Sequence, residues 1–390
     1  MTQRLYYDDS YLTEFRATVL DTNEDRCRVV LKETAFYPSS GGQPFDFGSI
    51  NGIEIADVVD SGDRVIHVLA SPLVYGAAVD CRVDWVRRFD HMQQHTGQHL
   101  LSAAIVELFD VPTVAFHLGA ESSTIEIGAA SFDLARIRAA EERANEIVFE
   151  NRAVTVSYLD SSEASDLRKP SEREGVLRII EIEGLDRSAC GGTHVRHTGE
   201  IGPITIRKTE KLRGNTRLEF LCGSRAARRA RADYEQLSAV AQVYSSTLDD
   251  AAALVAAGMA RLQESEKSRQ KLGGELALAR GRQLYQDTIP GADGLRRYWK
   301  RLPSGILAEE IRWEAQSFAA QSKALYLATS ENPAAVLLAA SADAGFPAGE
   351  WLKPRLAKAG GKGGGNAQMA QGSLPGAQYL SELAGELGFI

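Results

Sequence analysis

Hydrophobic and polar positions alternate in short steps over the first 85 residues. The runs Arg28-Val-Val-Leu31, Ile53-Glu-Ile55, Val65-Ile-His-Val68 and Val79-Asp-Cys-Arg-Val83 are separated by turn residues such as Asn51-Gly52 and Ser61-Gly62-Asp63. β-Branched residues suit a half-buried pleated face, and Gly, Asn and Asp tolerate tight turns. The spacing predicts a small β-barrel or curved sheet. The period then lengthens. Asp90 is the expected cap of a helix running to Leu108, with Leu100, Leu101, Ile105 and Leu108 as its apolar stripe. Beyond it come strand-like Ser123–Ile127, an Ala/Arg/Glu-rich helix over 131–151, and strand-like Val154–Tyr158, Val176–Ile182, Pro203–Lys208 and Arg217–Leu221. That mixed order predicts an α+β domain.

From Ser224 to Gln286 apolar positions recur every three or four residues: Leu237, Val240 and Tyr244, then Val255, Met259 and Leu262. Thr247 with Asp250 reads as a fresh helix start, so two helices are expected, as a hairpin or coiled coil, interrupted at Gly273-Gly274. The last hundred residues hold an apolar strand, Ala335–Ala339, a glycine run at 360–365 and a helix over 376–386, a compact α/β module. The expected domains are 1–85, 86–223, 224–286 and 287–390. The arm or the C-terminal module also offers a surface for a homodimer.

Apolar content of 44% and charged content of 25% are those of an ordinary globular protein. No apolar run approaches the roughly 20 residues that span a bilayer, and the first residues lack a signal-peptide core, so a cytoplasmic address is expected. Four cysteines are too few and scattered for a disulfide framework. Cys27, Cys81 and Cys222 sit in strand-like apolar settings, whereas Cys190 is followed by two glycines and a nearby histidine. The net charge of −8 argues against indiscriminate coating of nucleic acid. It hides nine basic residues between Thr205 and Arg231, among them Arg207, Lys208, Lys211 and Arg213, opposed only by Glu210 and Glu219. Such a patch attracts phosphate locally.

The chemistry concentrates in two motifs. His95-Thr-Gly-Gln-His99 places two imidazoles on one helix face, and Cys190-Gly-Gly-Thr-His194 adds a thiolate and a third imidazole, a donor set suited to tetrahedral Zn2+. His91 and His197 are open alternatives as a fifth ligand or a supporting group. The pattern is not the metalloprotease His-Glu-x-x-His, because no carboxylate follows the first histidine. It also lacks the Cys-x-x-Cys pair of nucleoside deaminases.

His95-Thr-Gly-Gln-His-Leu-Leu101 and Cys190-Gly-Gly-Thr-His194 resemble the metal-site motifs of alanyl-tRNA editing domains. Thr34-Ala-Phe-Tyr-Pro-Ser-Ser-Gly-Gly-Gln-Pro44 resembles that family's glycine-rich loop, and Thr198-Gly-Glu-Ile-Gly202 matches it too. Gly360-Gly-Lys-Gly-Gly-Gly365 with Ala370-Gln371 resembles the C-terminal domain of alanyl-tRNA synthetases, related to the DHHA1 module. Because the match begins near residue 1, the resemblance is to a free-standing editing factor of the long AlaX type. One departure is Ser40, where these loops carry glycine.

The resemblance implies an α+β fold with a small β-barrel, a zinc-binding editing core, a helical arm and a DHHA1-like C-terminal domain. It implies an aminoacyl-tRNA hydrolase removing serine, or glycine, from mischarged tRNA(Ala). Alternatives are an editor of another tRNA, such as Ser-tRNA(Thr), and a non-catalytic tRNA-binding zinc protein. The expected metal ligands are His95, His99, Cys190 and His194. Thr34 is expected to read the serine hydroxyl, with Gly42, Gln43, Gln98 and His117 as further substrate contacts. Arg207, Lys208, Lys211 and Arg213, and Lys362, Gly363, Gly364 and Gly365 in a phosphate-approaching loop, are the expected tRNA contacts.

Overall fold

The computed structural model describes residues 1–74, 78–164, 166–170 and 174–390. The architecture is mixed α+β, and the chain divides into two compact units, Met1–Val240 and Ala241–Ile390.

In the first unit, six strands close a barrel in the spatial order Glu14–Thr22, Arg28–Leu31, Arg64–Leu69, Ile53–Ser61, Gly48–Ile50, Ala78–Val83. Alternation sends Val65, His67 and Leu69 inward beside Val29, Leu31, Phe36, Ile50, Val58 and Val79. The chain then enters helix α1 (Trp85–Phe109). Its start lies earlier than the sequence indicated. The Asp84 carboxylate, not Asp90, caps it, accepting from the backbone N–H of Val86 and Arg87 at 3.0 and 3.3 Å. Asp90 instead pairs with Arg225, 2.6 Å away. The apolar stripe hid this first turn because its buried residue is an arginine, Arg88, and the next buried turns carry His91, Gln94 and His95.

Helix α1 shares one core with helix α2 (Leu134–Glu150) and two antiparallel sheets. One sheet runs Ile204–Lys211, Thr216–Cys222, Ser123–Ile127, Thr113–Leu118, and the other Val154–Asp160, Val176–Ile182, Asp186–Ala189. Met92, Leu100, Leu101 and Ile105 of α1 meet Ile125, Ile147, Ile180 and Phe220 there. Gly97 permits this approach, since a Cβ at that position would overlap the Cys222 sulfur.

Helix α3 (Gly223–Val243) contains the unit boundary, and α4 (Leu248–Asp287) opens the second unit. Gly273 and Gly274 do not interrupt α4. A Cβ on Gly274 would lie 3.1 Å from the Trp313 ring, and one on Gly281 would overlap the Glu314 carbonyl, so the glycines seat helix α5 (Glu309–Ala319). A five-stranded sheet runs Arg296–Leu302, Ala324–Glu331, Ala334–Ala340, Met369–Ser373, Lys362–Gly365. Leu325, Leu327 and Leu338 face α6 (Ala348–Lys358) and α7 (Gln378–Glu386), while Tyr326, Ala328 and Leu337 face α5. Burial on both faces explains the unbroken apolar run at Ala334–Ala340. The glycine run corrects another expectation: Lys362–Gly365 is an edge strand, not a loop. Side chains at Gly363 and Gly365 would strike the neighbouring strand's backbone.

Candidate metal centre and its cleft

His95 and His99 stand one turn apart on α1, and Cys190 and His194 come from the loop after strand Asp186–Ala189. The four ligand atoms all lie within 4.8 Å of one another. Cys190 Sγ is 3.4 Å from Nε2 of His95 and 3.4 Å from Nε2 of His194. Tetrahedral zinc with ordinary bond lengths has donor–donor edges of about 3.3–3.8 Å, so these contacts suit one ion.

The outer nitrogens decide which way the rings face. His95 Nδ1 donates to Gln43 Oε1 at 2.8 Å, and Gln43 Nε2 donates to Thr193 Oγ1 at 2.9 Å, which fixes the amide. His99 Nδ1 donates to Asp186 Oδ2 at 3.0 Å, and that carboxylate also accepts from Arg168 at 2.6 Å and from Ser188. His194 Nδ1 meets Thr96 Oγ1 at 3.1 Å. Every ring is therefore held by Nδ1, leaving Nε2 as the donor toward the centre, the bracing that metal-bound histidines use. Arg178 adds a backbone clamp. Its Nη1 donates to the carbonyls of Cys190 and Gly192 at 2.7 and 2.9 Å, and its Nε to Tyr7 O. Gly192 leaves room for the His95 ring, which a Cβ would overlap.

Electrostatics follow the same layout. Burial opposes the Cys190 thiolate, yet His95 and His194 hold its pKa well below the ordinary thiol value. Burial, with the neighbouring histidines, lowers His194 to about 3. His99 is also penalised by burial, but its hydrogen bond to Asp186 lifts it to about 9. A divalent metal requires a thiolate and inward lone pairs, so the second proton that His99 holds through its raised pKa would leave as an ion binds. The residues fit zinc on donor type, spacing and bracing.

His91 and His197 stand outside the group. His91 is buried and lowered to about 3, by burial first and then by Arg87, and its Nδ1 has no partner among the described residues. His197 caps the short turn Thr198–Ile201 with Glu200.

A cleft of about 270 Å³ opens beside the centre, lined by Gln98 and His99 of α1, by Thr113–Phe116, and by Lys169, Ser188 and Ala189. Phe116 stacks on His95 with centroids 5.3 Å apart. Of the expected substrate contacts, Gln98 lies here. Gly42 (φ +86°) packs close to Phe116, and its carbonyl accepts from Leu118 N. Gln43 is buried and engaged by His95 and Thr193, so it braces a ligand and is not open to substrate. Thr34 is fully buried against the barrel interior. His67 Nδ1 donates to Val29 O, so its Nε2 accepts the Thr34 hydroxyl at 2.8 Å, while Phe36 N donates back to Thr34 Oγ1 at 3.1 Å. Both directions of that hydroxyl are in use. His117 follows Phe116 on its strand, so it faces away from His95 and is exposed. Ser40 is also exposed, in a tight turn closed by Gly41 (φ +55°) and Gly42, and its own φ is ordinary. Serine therefore strains nothing there.

The basic stretch is largely neutralised. Arg207 and Arg229 share Asp233, Lys208 holds Glu210, and Arg217 holds Glu126. Lys211 and Arg213, at the turn between strands Ile204–Lys211 and Thr216–Cys222, have no ion pair among the described residues. Asp186, Thr96 and Arg178 were missed in the sequence. An isolated Asp after a turn, or an Arg within a strand, reads as surface, and only the fold brings it against a ligand.

Residues 177–219, which carry Cys190, His194 and the hairpin behind them, match the family described as the threonyl and alanyl tRNA synthetase second additional domain. The alanyl-tRNA editing protein Aarsd1 of Bos taurus is 38% identical over 238 residues, covering 56% of this chain and 54% of that protein. The chain is a homologue of alanyl-tRNA editing proteins. The likeness extends to the alanine–tRNA ligase of Pyrococcus furiosus, 31% identical over 394 residues, covering 96% of this chain and 42% of the ligase. This homologue thus spans about half the length of the curated relatives it matches. The C-Ala domain of the Aquifex aeolicus alanyl-tRNA synthetase is 19% identical, covering 24% of this chain and 87% of that one, at a TM-score of 0.22.

Proposed function

We propose that the chain is a zinc-dependent deacylase that hydrolyses the ester joining serine, or glycine, to tRNA for alanine. The observation that carries this reading is a three-histidine, one-cysteine group with every imidazole braced through Nδ1, beside a small cleft, in a homologue of alanyl-tRNA editing proteins. His95, His99, Cys190 and His194 would hold the zinc, which when bound supplies Lewis acidity for ester hydrolysis.

The chain's own residues set geometry and selection. Gln43, Asp186 and Thr96 orient the rings, and Phe116 roofs the cleft beside His95. The chemical need is specific, because a synthetic pocket shaped for a methyl group rejects an added hydroxyl only about a hundredfold. A second site that hydrogen-bonds the hydroxyl rejects alanine more strongly, since the methyl would leave its polar group unpaired, whereas glycine leaves room for a water in the hydroxyl's place. Lys211 and Arg213, with Lys362 at the start of the glycine strand, are the proposed phosphate contacts.

The family description names threonyl as well as alanyl synthetases, which supports a second reading, removal of serine from tRNA(Thr). Incubating the purified protein with Ser-, Gly- and Ala-tRNA(Ala) and with Ser-tRNA(Thr) separates the two. Loss of ester from Ser- and Gly-tRNA(Ala), with Ala-tRNA(Ala) spared, is expected. Protection of all four would overturn the deacylase reading.

A further inference from the structure

If the site selects seryl esters, some group in it must bond the side-chain hydroxyl, and Thr34 is fully engaged elsewhere. The polar wall of the cleft offers a different group. Gln98 is three residues after His95 and so shares its face of α1. Its Nε2 donates to Ser102 Oγ at 2.9 Å, and Thr113 Oγ1 donates to the same oxygen at 2.8 Å. These contacts fix the amide plane and leave Gln98 Oε1 without a hydrogen-bond partner among the described residues. Gln98 and Thr113 both line the cleft, next to His99. A fixed acceptor with no protein donor, beside a metal centre, suits a ligand that brings a donor of its own.

We propose that Gln98 Oε1 accepts the hydrogen bond of the aminoacyl side-chain hydroxyl, with Ser102 and Thr113 as positioning residues that hold the amide. The proposal rests on the deacylase reading and deepens it. The expected ligand is a small β-hydroxy aminoacyl ester. Glycine shares the α-ammonium of serine but lacks the hydroxyl, so comparing the two esters separates hydroxyl reading from ammonium binding.

The test measures kcat and KM for Ser-tRNA(Ala) and Gly-tRNA(Ala) with the full chain and with Gln98→Leu, Thr113→Val and Thr34→Val. Zinc content and the urea midpoint are measured for each. Gln98→Leu should lower kcat/KM on the seryl substrate about ten- to a hundredfold relative to the glycyl one, the scale of one hydrogen bond with its buried partner left unpaired. Thr113→Val should shift the same ratio less and in the same direction. Thr34→Val should move the urea midpoint and leave the ratio alone. Equal losses on both substrates with Gln98→Leu, or a ratio moved by Thr34→Val and not by Gln98→Leu, would overturn the proposal. Inactivity of the unmodified protein on both substrates would overturn the deacylase reading itself, and this one with it.

Discussion

At the scale of single residues, the candidate metal centre divides into what spacing reveals and what only folding supplies. Two histidines four apart and a Cys-x-x-x-His motif are legible because the donor types are rare and their separation matches one helical turn or one tight loop. Asp186 gave no such signal, yet it is buried and ties His99 Nδ1 to Arg168. A carboxylate behind a ligating imidazole fixes its tautomer and raises its basicity. Asp186→Asn keeps the shape but removes the charge, so metal affinity should fall about ten- to a hundredfold. Competition against a chromogenic chelator measures it, and an unchanged affinity would show that His99 needs no carboxylate. Thr34 shows the opposite failing of sequence. Its place at the head of the glycine-rich loop suggested a ligand contact, but the inward-facing His67, lowered to about 4 by burial, takes its hydroxyl.

At the scale of elements, periodicity located most strands and helices, and it failed where polar residues do the work of apolar ones. The start of α1 is the clearest case. Arg88 is fully buried and donates to Asp46, to Ser10 O at 2.7 Å and to Ala35 O at 2.5 Å, joining the helix to both ends of the glycine-rich loop. Through that loop it also sets Gln43, and through Gln43 the ring of His95. The alternation of the barrel strands was legible, whereas a buried arginine breaks any hydrophobic count. Arg88→Met should cost about 3–5 kcal/mol, because Asp46 would be left buried without its counter-charge. The double variant Arg88→Met/Asp46→Leu should recover part of that loss. Urea unfolding of both measures the effect. A single variant as stable as the parent would mean that the Tyr37 N–H, 2.6 Å from Asp46, suffices to hold the carboxylate.

At the scale of the whole molecule, the two units are built on separate cores, and the candidate metal centre lies in the first. All four donors, their bracing groups and the cleft belong to Met1–Val240, whose apolar cluster is independent of the one around Leu325, Leu338 and Leu352. If the second unit supplies affinity for RNA through Lys362 and its neighbours, it should be dispensable for the metal and not for the tRNA. A chain ending at Val240 should keep one equivalent of zinc per chain and the parent's near-ultraviolet circular dichroism. Its affinity for uncharged tRNA(Ala) should be lower, and the plot of log affinity against log salt should flatten by about one for each phosphate contact removed. Unchanged affinity and slope would confine RNA recognition to the first unit, at Lys211 and Arg213. Loss of zinc on truncation would mean that the second unit supports the centre, against the separation of their cores.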